Sequence, residues 1–442
     1  MKQLFDRTKP HLSIWLWIHD PTVPSWGRRE RADEPSPPCD TPLHYAAFCG
    51  LHDIAKILAI EHPQDVNSQI VHDGSSPLHL ASRRGHVDLT RMLIQCGTDV
   101  SAQTKDGQTA LHLASENGHV DVARILTERG ANVSARGKDG WAALHFASQN
   151  GHVKLARMLI ERSTGLLAQK KDGWTALHLA SENGHVDLAR MLIKRGADAS
   201  AQMKDGRTAL HLASENGNVD LAQMLIERGT GVSAQKKDGS TALHSASRNG
   251  HVDLVRMLIE RGANVSAQRK DGRAALYLAS QNGHVDLARM LIEHGADMLA
   301  QDKDGWTVLH LASENGHVDL ARMLIERGAD VSALEKGGWT ALHLASRNGH
   351  VDLARMLIER GADVSAQEKD GWTALHLASE NGHVDLAWML IEHGADVSAQ
   401  TKYCPYGSTA LTLASRNGHL DLAQLLVDAS TSVIATLANT FG

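Results

Sequence analysis

Apolar residues recur along most of the chain with a period of 33 residues, and each period holds two short patterns of helical spacing. In one copy, Leu177 and Ala180 lie three residues apart in the first pattern. Leu188 and Leu192 lie four apart in the second pattern, and both spacings place side chains on one face of a helix. Gly184 separates the patterns and, because glycine tolerates a positive φ, it suits the end of a helix. Each period therefore predicts a helix, a turn and a second helix.

The string TALHLAS and its close variants mark twelve copies of this period. The fourth position of the string falls at His44, His79, His112, His145, His178, His211, His244, Tyr277, His310, His343, His376 and Thr412. One such unit cannot bury its apolar face alone, whereas stacked units bury it against one another. We therefore expect residues 41–428 to form an all-α solenoid of about twelve helix-turn-helix repeats. Thr175 is the expected N-cap of one first helix, because its hydroxyl can accept from an unpaired amide of the first turn.

The strings T-A-L-H, N-G-H and G-A-D-V recur at fixed places in each period, and together with that period they resemble the ankyrin repeat family. The resemblance implies stacked helix pairs joined by projecting β-hairpin-like turns, called fingers here. Most copies carry Ala where the family favours Pro; Pro42 and Pro77 keep it. The last junction has extra residues at 403–406, where we expect a distorted or longer finger.

The 27 histidines are largely explained by the repeat. Ten lie in the T-x-L-H string and ten follow the glycine between the helices. The family resemblance implies that the first set orients the finger through a hydrogen bond to the chain. Metal binding is the alternative, but structural zinc needs four converging ligands, and these histidines are spread one per repeat. We expect no metal and no cofactor.

Charge and motifs exclude several classes of function. Lys and Arg number 45 against 51 Asp and Glu, without the basic surface that nucleic-acid binders usually carry, so we expect no direct nucleic-acid binding. The apolar run at residues 12–18 is too short to span a bilayer and no cleavage site follows it. We therefore expect no membrane insertion, no secretion, and a cytoplasmic or nuclear location. Phosphate-loop, nucleophile-elbow and metalloprotease motifs are absent, which predicts that the chain is not an enzyme.

The copies differ from one another in three columns: the residue after the turn glycine, the residue two before the turn aspartate, and the end of the first helix. In the resembled family, these columns line the concave binding surface. The candidate partner-binding residues are Trp141, Trp174, Arg207, Arg273, Trp306, Trp339, Trp372, Lys170, Lys236, Arg269, Asp302, Glu335, Glu368, Arg248 and Arg347. The five tryptophans either stiffen the fingers by stacking or anchor a partner, and the two interpretations are compatible.

The signs of the charges in these columns are organised along the chain. Fingers between Lys170 and Arg273 are basic, whereas fingers from Asp302 onward carry Asp or Glu beside Trp. This order suggests a bipolar groove whose electrostatics would orient a partner. The alternative is a solvated face produced by drift after duplication.

The ends of the chain differ from the array. Residues 1–40 are rich in Pro and Trp and contain a possible capping helix; this part resembles fungal receptor-like ankyrin proteins. The tail at 429–442 has no charged side chain. The predicted function is a non-catalytic scaffold, monomeric alone, that binds one or more proteins through its concave face and finger tips. Two alternatives stay open: a transcriptional co-regulator that acts through a DNA-binding partner, and the ligand-sensing array of a fungal defence-receptor-like protein.

Overall fold

A computed structural model describes residues 41–162, 169–402 and 407–441, with side chains up to residue 431. The expected capping helix in residues 1–40 and the expected irregular finger at 403–406 lie outside the described residues. The described part contains 24 α-helices and no strand; one isolated antiparallel bridge joins Gln268 and Ala274. The all-α repeat fold predicted from the sequence is confirmed.

Each repeat contributes two helices. The first helices are α1 Pro42–Cys49, α3 Pro77–Arg84, α5 Ala110–Glu116, α7 Ala143–Gln149, α9 Ala176–Glu182, α11 Ala209–Glu215, α13 Ala242–Arg248, α15 Ala275–Gln281, α17 Val308–Asn315, α19 Ala341–Asn348, α21 Ala374–Glu380 and α23 Ala410–Arg416. The second helices are α2 His52–Glu61, α4 Val87–Gln95, α6 Val120–Glu128, α8 Val153–Glu161, α10 Val186–Lys194, α12 Val219–Glu227, α14 Val252–Glu260, α16 Val285–Glu293, α18 Val318–Glu326, α20 Val351–Glu359, α22 Val384–Glu392 and α24 Leu420–Phe441. A short 3-10 turn, Pro63–Asp65, follows α2.

Most of the first helices begin with a reciprocal cap between a hydroxyl residue and the histidine three positions later. At α9, the Thr175 backbone N–H donates to His178 Nδ1 at 3.2 Å, and the Thr175 hydroxyl lies 2.8 Å from the same nitrogen. The His178 backbone N–H donates back to Thr175 Oγ1 at 3.3 Å. This confirms the N-cap expected at Thr175. Because Nδ1 accepts from a backbone N–H, the proton of the neutral ring lies on Nε2.

The described helices fall into two compact units, one that ends at residue 213 and includes 220–230, and one that comprises 214–219 and the helices from residue 231 onward. Within each unit, first helices of successive repeats contact one another, and both helices of a repeat pack together. The side chains predicted to face the core are buried, since Leu177 and Ala180 are 1% and 0% exposed and Leu188 and Leu192 are both 0% exposed. Each unit therefore has its own core of Leu, Ala and Met, built from small side chains that let helices approach closely.

The fingers are tight hydrogen-bonded turns that stack through the backbone. In one finger, the Lys170 N–H donates to the Trp174 carbonyl and the Gly173 N–H donates to the Lys170 carbonyl, both at 2.9 Å. The N–H of Lys204 in the next finger donates to the Asp172 carbonyl at 3.0 Å. Gly173 has φ +84°, and a Cβ there would lie 3.0 Å from the Met203 Cα. Glycine is therefore required both by the turn and by the close approach of the next finger.

The last helix, α24, runs without a break past residue 428. The boundary expected there between the array and the tail thus falls inside a helix. Because no charged residue or glycine follows Asp428 until the final Gly442, the sequence offers no stop signal in this stretch.

Candidate functional site

The T-x-L-H histidines hold the following finger in place. His310 Nε2 lies 3.1 Å from the Trp339 carbonyl, and His343 Nε2 lies 3.1 Å from the Trp372 carbonyl. With the proton on Nε2, each ring donates a hydrogen bond to the backbone of the next repeat's tryptophan. The role that the family resemblance implied for these histidines is thereby confirmed. Burial lowers the pKa of His310 and His343, so both rings are neutral near pH 7.

A carboxylate holds the other side of each tryptophan in three successive fingers. The backbone N–H of each tryptophan donates to the carboxylate four residues earlier, at 3.0 Å in every case. The pairs are Trp306 with Asp302 Oδ1, Trp339 with Glu335 Oε1 and Trp372 with Glu368 Oε1. The carbonyls of the same tryptophans accept the backbone N–H of these acidic residues. Both backbone groups of each tryptophan are therefore fixed by hydrogen bonds.

The indole rings of all five finger tryptophans are half-buried. Trp306 packs against Tyr277, Leu278 and Leu311, and Trp141 stacks on Phe146 with ring centroids 4.6 Å apart. Similar contacts of Trp174, Trp339 and Trp372 with the histidine four residues later put the ring centroids 6.0–6.3 Å apart. The rings thus stiffen their own repeats while keeping part of their surface in solvent. Half-exposed, orientationally fixed indoles suit interface anchors.

The acidic column does not form the free negative surface that the sequence suggested. Asp302 and Glu368 are 7% and 6% exposed, and Glu335 is half-buried. Their carboxylates accept from backbone N–H groups of their own fingers, and Thr104 and Thr401 do the same in other fingers. The residues of this column therefore act as hydrogen-bond acceptors that cap the turns. Their negative charges are less accessible to a partner than the bipolar-groove hypothesis requires.

Asp302 also has partners from the preceding repeat. Its Oδ2 accepts from the Tyr277 hydroxyl at 3.0 Å and lies 3.3 Å from Arg273 Nε. Tyr277 stands where ten other repeats have histidine, and Ala274 replaces the capping threonine. Burial, with the Asp302 charge as a further cause, raises the pKa of Tyr277. This repeat therefore ties its finger to the next through a buried carboxylate instead of an imidazole.

Most of the basic candidates have carboxylate partners of their own. Arg207 Nε lies 2.7 Å from Asp205 Oδ2, and Arg347 Nη2 lies 3.0 Å from Glu314 Oε1. Further pairs are Lys236 with Glu215 at 3.5 Å, Arg269 with Asp271 at 3.2 Å and Arg273 with Asp302 at 3.3 Å. Arg248 is exposed at the end of α13. The basic fingers thus present less free charge than their sequence indicates.

Trp388 is an exposed aromatic residue that is not among the candidates predicted from the sequence. Trp388 on α22 is 50% exposed at a position where other second helices carry Arg, Lys or Gln. Val384, one turn earlier, is 36% exposed, and Leu420 at the start of α24 is 75% exposed. The sequence carries a signal for Trp388, because Arg190 and Arg355 occupy the same column, but this column lies outside the finger and first-helix columns in which partner binding was expected.

Metal ligation and membrane crossing each require a recognisable arrangement of residues, which can be compared with the part of the chain that the structure describes. Among these residues, no three His, Cys, Asp or Glu side chains group as metal ligands. No helix in the described ranges has the length and apolar character needed to cross a membrane.

The stacked helix pairs, histidine caps and hydrogen-bonded fingers define a helical tandem-repeat protein. The family model for ankyrin repeats (3 copies) matches residues 43–137, 134–203, 195–269, 264–335, 332–401 and 364–436. The chain belongs to the ankyrin repeat family.

The chain is also similar to alpha-latrocrustotoxin-Lt1a of Latrodectus tredecimguttatus, with 42% identity over 64 residues. The match covers 14% of this chain and 4% of the toxin. The chain therefore spans only a small part of the length of this relative.

Proposed function

We propose that this protein is a non-catalytic scaffold that binds a partner protein through its finger tips and first helices. The observation that carries the proposal is the repeated finger of Trp306, Trp339 and Trp372. Each tryptophan is held by hydrogen bonds at its backbone N–H and carbonyl, while its ring stays half-buried. Pre-oriented aromatic side chains lose little conformational entropy on binding, and this favours them as anchors of an interface.

The proposal extends to the setting in which the scaffold works. We propose that it acts in the cytoplasm or nucleus, is monomeric alone and does not contact nucleic acid directly. Cys49 and Cys96 are exposed free thiols, as is usual in reducing compartments. The paired cations of the fingers leave little uncompensated positive charge for phosphates.

The full chain is used to capture proteins from an extract of the cells in which it is naturally made. The triple variant Trp306→Gln, Trp339→Gln, Trp372→Gln is expected to capture much less of the proteins that the wild-type chain binds. Gln is chosen because Gln108 occupies the same column in another repeat, so the finger accommodates it. Affinity capture with quantitative mass spectrometry measures the effect, with an expected loss of about tenfold or more in recovery, since each anchor contributes about 1 kcal/mol or more.

Trp388→Arg is the matched control, because it removes an exposed tryptophan from a second helix and restores the residue found in most other copies. This variant is expected to keep the wild-type set of proteins. If the triple variant, with an unchanged melting temperature, retains the same set as well, the fingers are not the binding surface.

A further inference from the structure

Lys170 differs from the other basic residues of the fingers in its surroundings. Arg207, Lys236, Arg269 and Arg273 each lie within ion-pair distance of a carboxylate. In the ranges that the structure describes, no hydrogen-bond acceptor or carboxylate lies at such a distance from the Lys170 ammonium group. Lys170 thus lacks a close ion-pair partner among the described residues, although the charges of Asp172, Asp139 and Glu182 act on it from farther away.

The sequence explains why Lys170 stands alone. Lys236 pairs with Glu215, the last residue of α11 and 21 positions earlier in the chain. The corresponding residue for Lys170 is Gln149, the last residue of α7. The side chain of Gln149 is uncharged and cannot form an ion pair. The lysine of this finger position therefore has a close carboxylate partner at Lys236 and lacks the corresponding one at Lys170.

Two indole rings flank the open ammonium group. Lys170 Nζ lies 3.8 Å from the ring centroid of Trp141 and 5.6 Å from that of Trp174. Aromatic faces attract a cation, but they leave the N–H donors of an ammonium group free to bind an oxygen. Lys170 is half-buried between the rings, and its desolvation lowers the pKa of the amine. An incoming carboxylate would recover part of the solvation that the cation has lost.

Further cations surround Lys170. Arg136, Gly140, Gln169, Lys170 and Lys171 line one open cleft beside the finger. The Arg136 guanidinium already donates to the Gln169 carbonyl at 3.0 Å, which fixes it at the rim, and Lys171 lies 3.6 Å from Asp139. Gly140 contributes no side chain, so the cleft is bounded there by backbone. The cleft thus combines three cations, of which one is paired with a carboxylate, and one of them, Lys170, is also held by the two indoles.

We propose that this cleft is a carboxylate-binding site that receives an Asp or Glu side chain of the partner protein on Lys170. The inference rests on the proposed function and assigns the chemistry of one contact in it. A single carboxylate fits better than the closely spaced phosphates of a nucleic acid, because the charges of Asp172, Asp139 and Glu182 already act on Lys170 and would repel further negative charge.

The test uses the full chain and a fluorescein-labelled peptide of alternating Glu and Leu, followed by fluorescence anisotropy. Lys170→Met removes the charge with little change in length, and Met203 in the same column of another repeat indicates that the fold accepts it. We expect the dissociation constant to rise about tenfold in this variant, the effect of losing one charge-assisted contact. Lys236→Met, which makes the same change in net charge at a paired lysine, is expected to change the dissociation constant by less than about twofold.

Three outcomes would overturn the inference: unaltered peptide binding in Lys170→Met, an equal loss in Lys236→Met, or equally tight binding of the peptide in which Gln replaces Glu. Stronger competition by single-stranded DNA than by the Glu peptide would assign the cleft to phosphates instead. Affinity capture with Lys170→Met separates this inference from the proposed function. If the tryptophan triple variant loses the captured proteins and Lys170→Met has no effect in either assay, only the carboxylate site is refuted.

Discussion

Acidification from about pH 7.5 to about pH 5 is expected to lower strongly the melting temperature of the unit that contains His44, His79 and His178. Burial lowers the pKa of each of these three residues from 6.5 to about 4. The folded unit therefore binds fewer protons than the unfolded chain in this range. Its stability is complete above pH 6.5 and falls as the pH drops from 6.5 towards about 4.

The size of the effect follows from the number of histidines. One pKa unit corresponds to about 1.4 kcal/mol, so each of the three rings destabilises the fold by about 2 kcal/mol at pH 5. The sum, about 6 kcal/mol, is comparable with the whole stability of a typical domain. Protonation also converts Nδ1 from an acceptor into a donor and so breaks the cap with the Thr175 N–H.

Thermal melts followed by circular dichroism at several pH values measure this prediction. His185→Asn is a suitable control, because its ring bonds the Gln149 carbonyl through Nε2 only and Asn218 occupies the same position in another repeat. This variant is expected to keep the acid transition. A midpoint that stays constant down to pH 4 would contradict the histidine account. Hydrogen bonds from Ser101 hold the pKa of Asp99 below its usual value of 3.8, so carboxylates of this kind do not explain a loss of stability that begins near pH 6.5.

Asp302→Ala is expected to lower the free energy of unfolding of the C-terminal unit by about 3 kcal/mol, the loss typical when one partner of a buried ionic network is removed. The carboxylate accepts from Tyr277, Arg273 and the backbone N–H groups of Asp304 and Trp306. Truncation leaves the Tyr277 hydroxyl buried without its acceptor and frees the N–H of Trp306. Urea denaturation measures the loss.

Asp302→Asn keeps the shape and one acceptor oxygen, so it is expected to cost less than Asp302→Ala. Glu335→Ala provides a comparison in the next finger, where the half-buried carboxylate accepts from the Trp339 N–H and has no tyrosine partner. We expect a loss of about 1 kcal/mol there. If Asp302→Ala is no more destabilising than Glu335→Ala, the contacts with Tyr277 and Arg273 do not stabilise the unit.

The period, the helices and the histidine caps could be predicted because they depend on local spacing. Thr175 and His178 are three residues apart, and their geometry is dictated by the start of a helix. Leu188 and Leu192 lie on one helical face wherever the helix is placed. Features of this kind are repeated in the sequence, and repetition makes them easy to recognise.

The state of the charged columns could not be predicted, because it depends on contacts across repeats. Glu368 varies in sequence like a surface residue, yet its side chain is long enough to reach the Trp372 N–H and is buried. Lys170 and Lys236 look equivalent until the residue 21 positions earlier is compared. The exposure of Trp388 follows from its place on a second helix and not from its type.

Hydrogen–deuterium exchange on the complex with a captured partner tests the central claim most directly, namely that the fingers and first helices form the binding surface. The predicted result is protection of the finger turns around Trp306, Trp339 and Trp372 and of helices α17, α19 and α21, with exchange in helices α18, α20 and α22 unchanged. Protection restricted to the second helices, with the fingers exchanging as they do in the free protein, would contradict it.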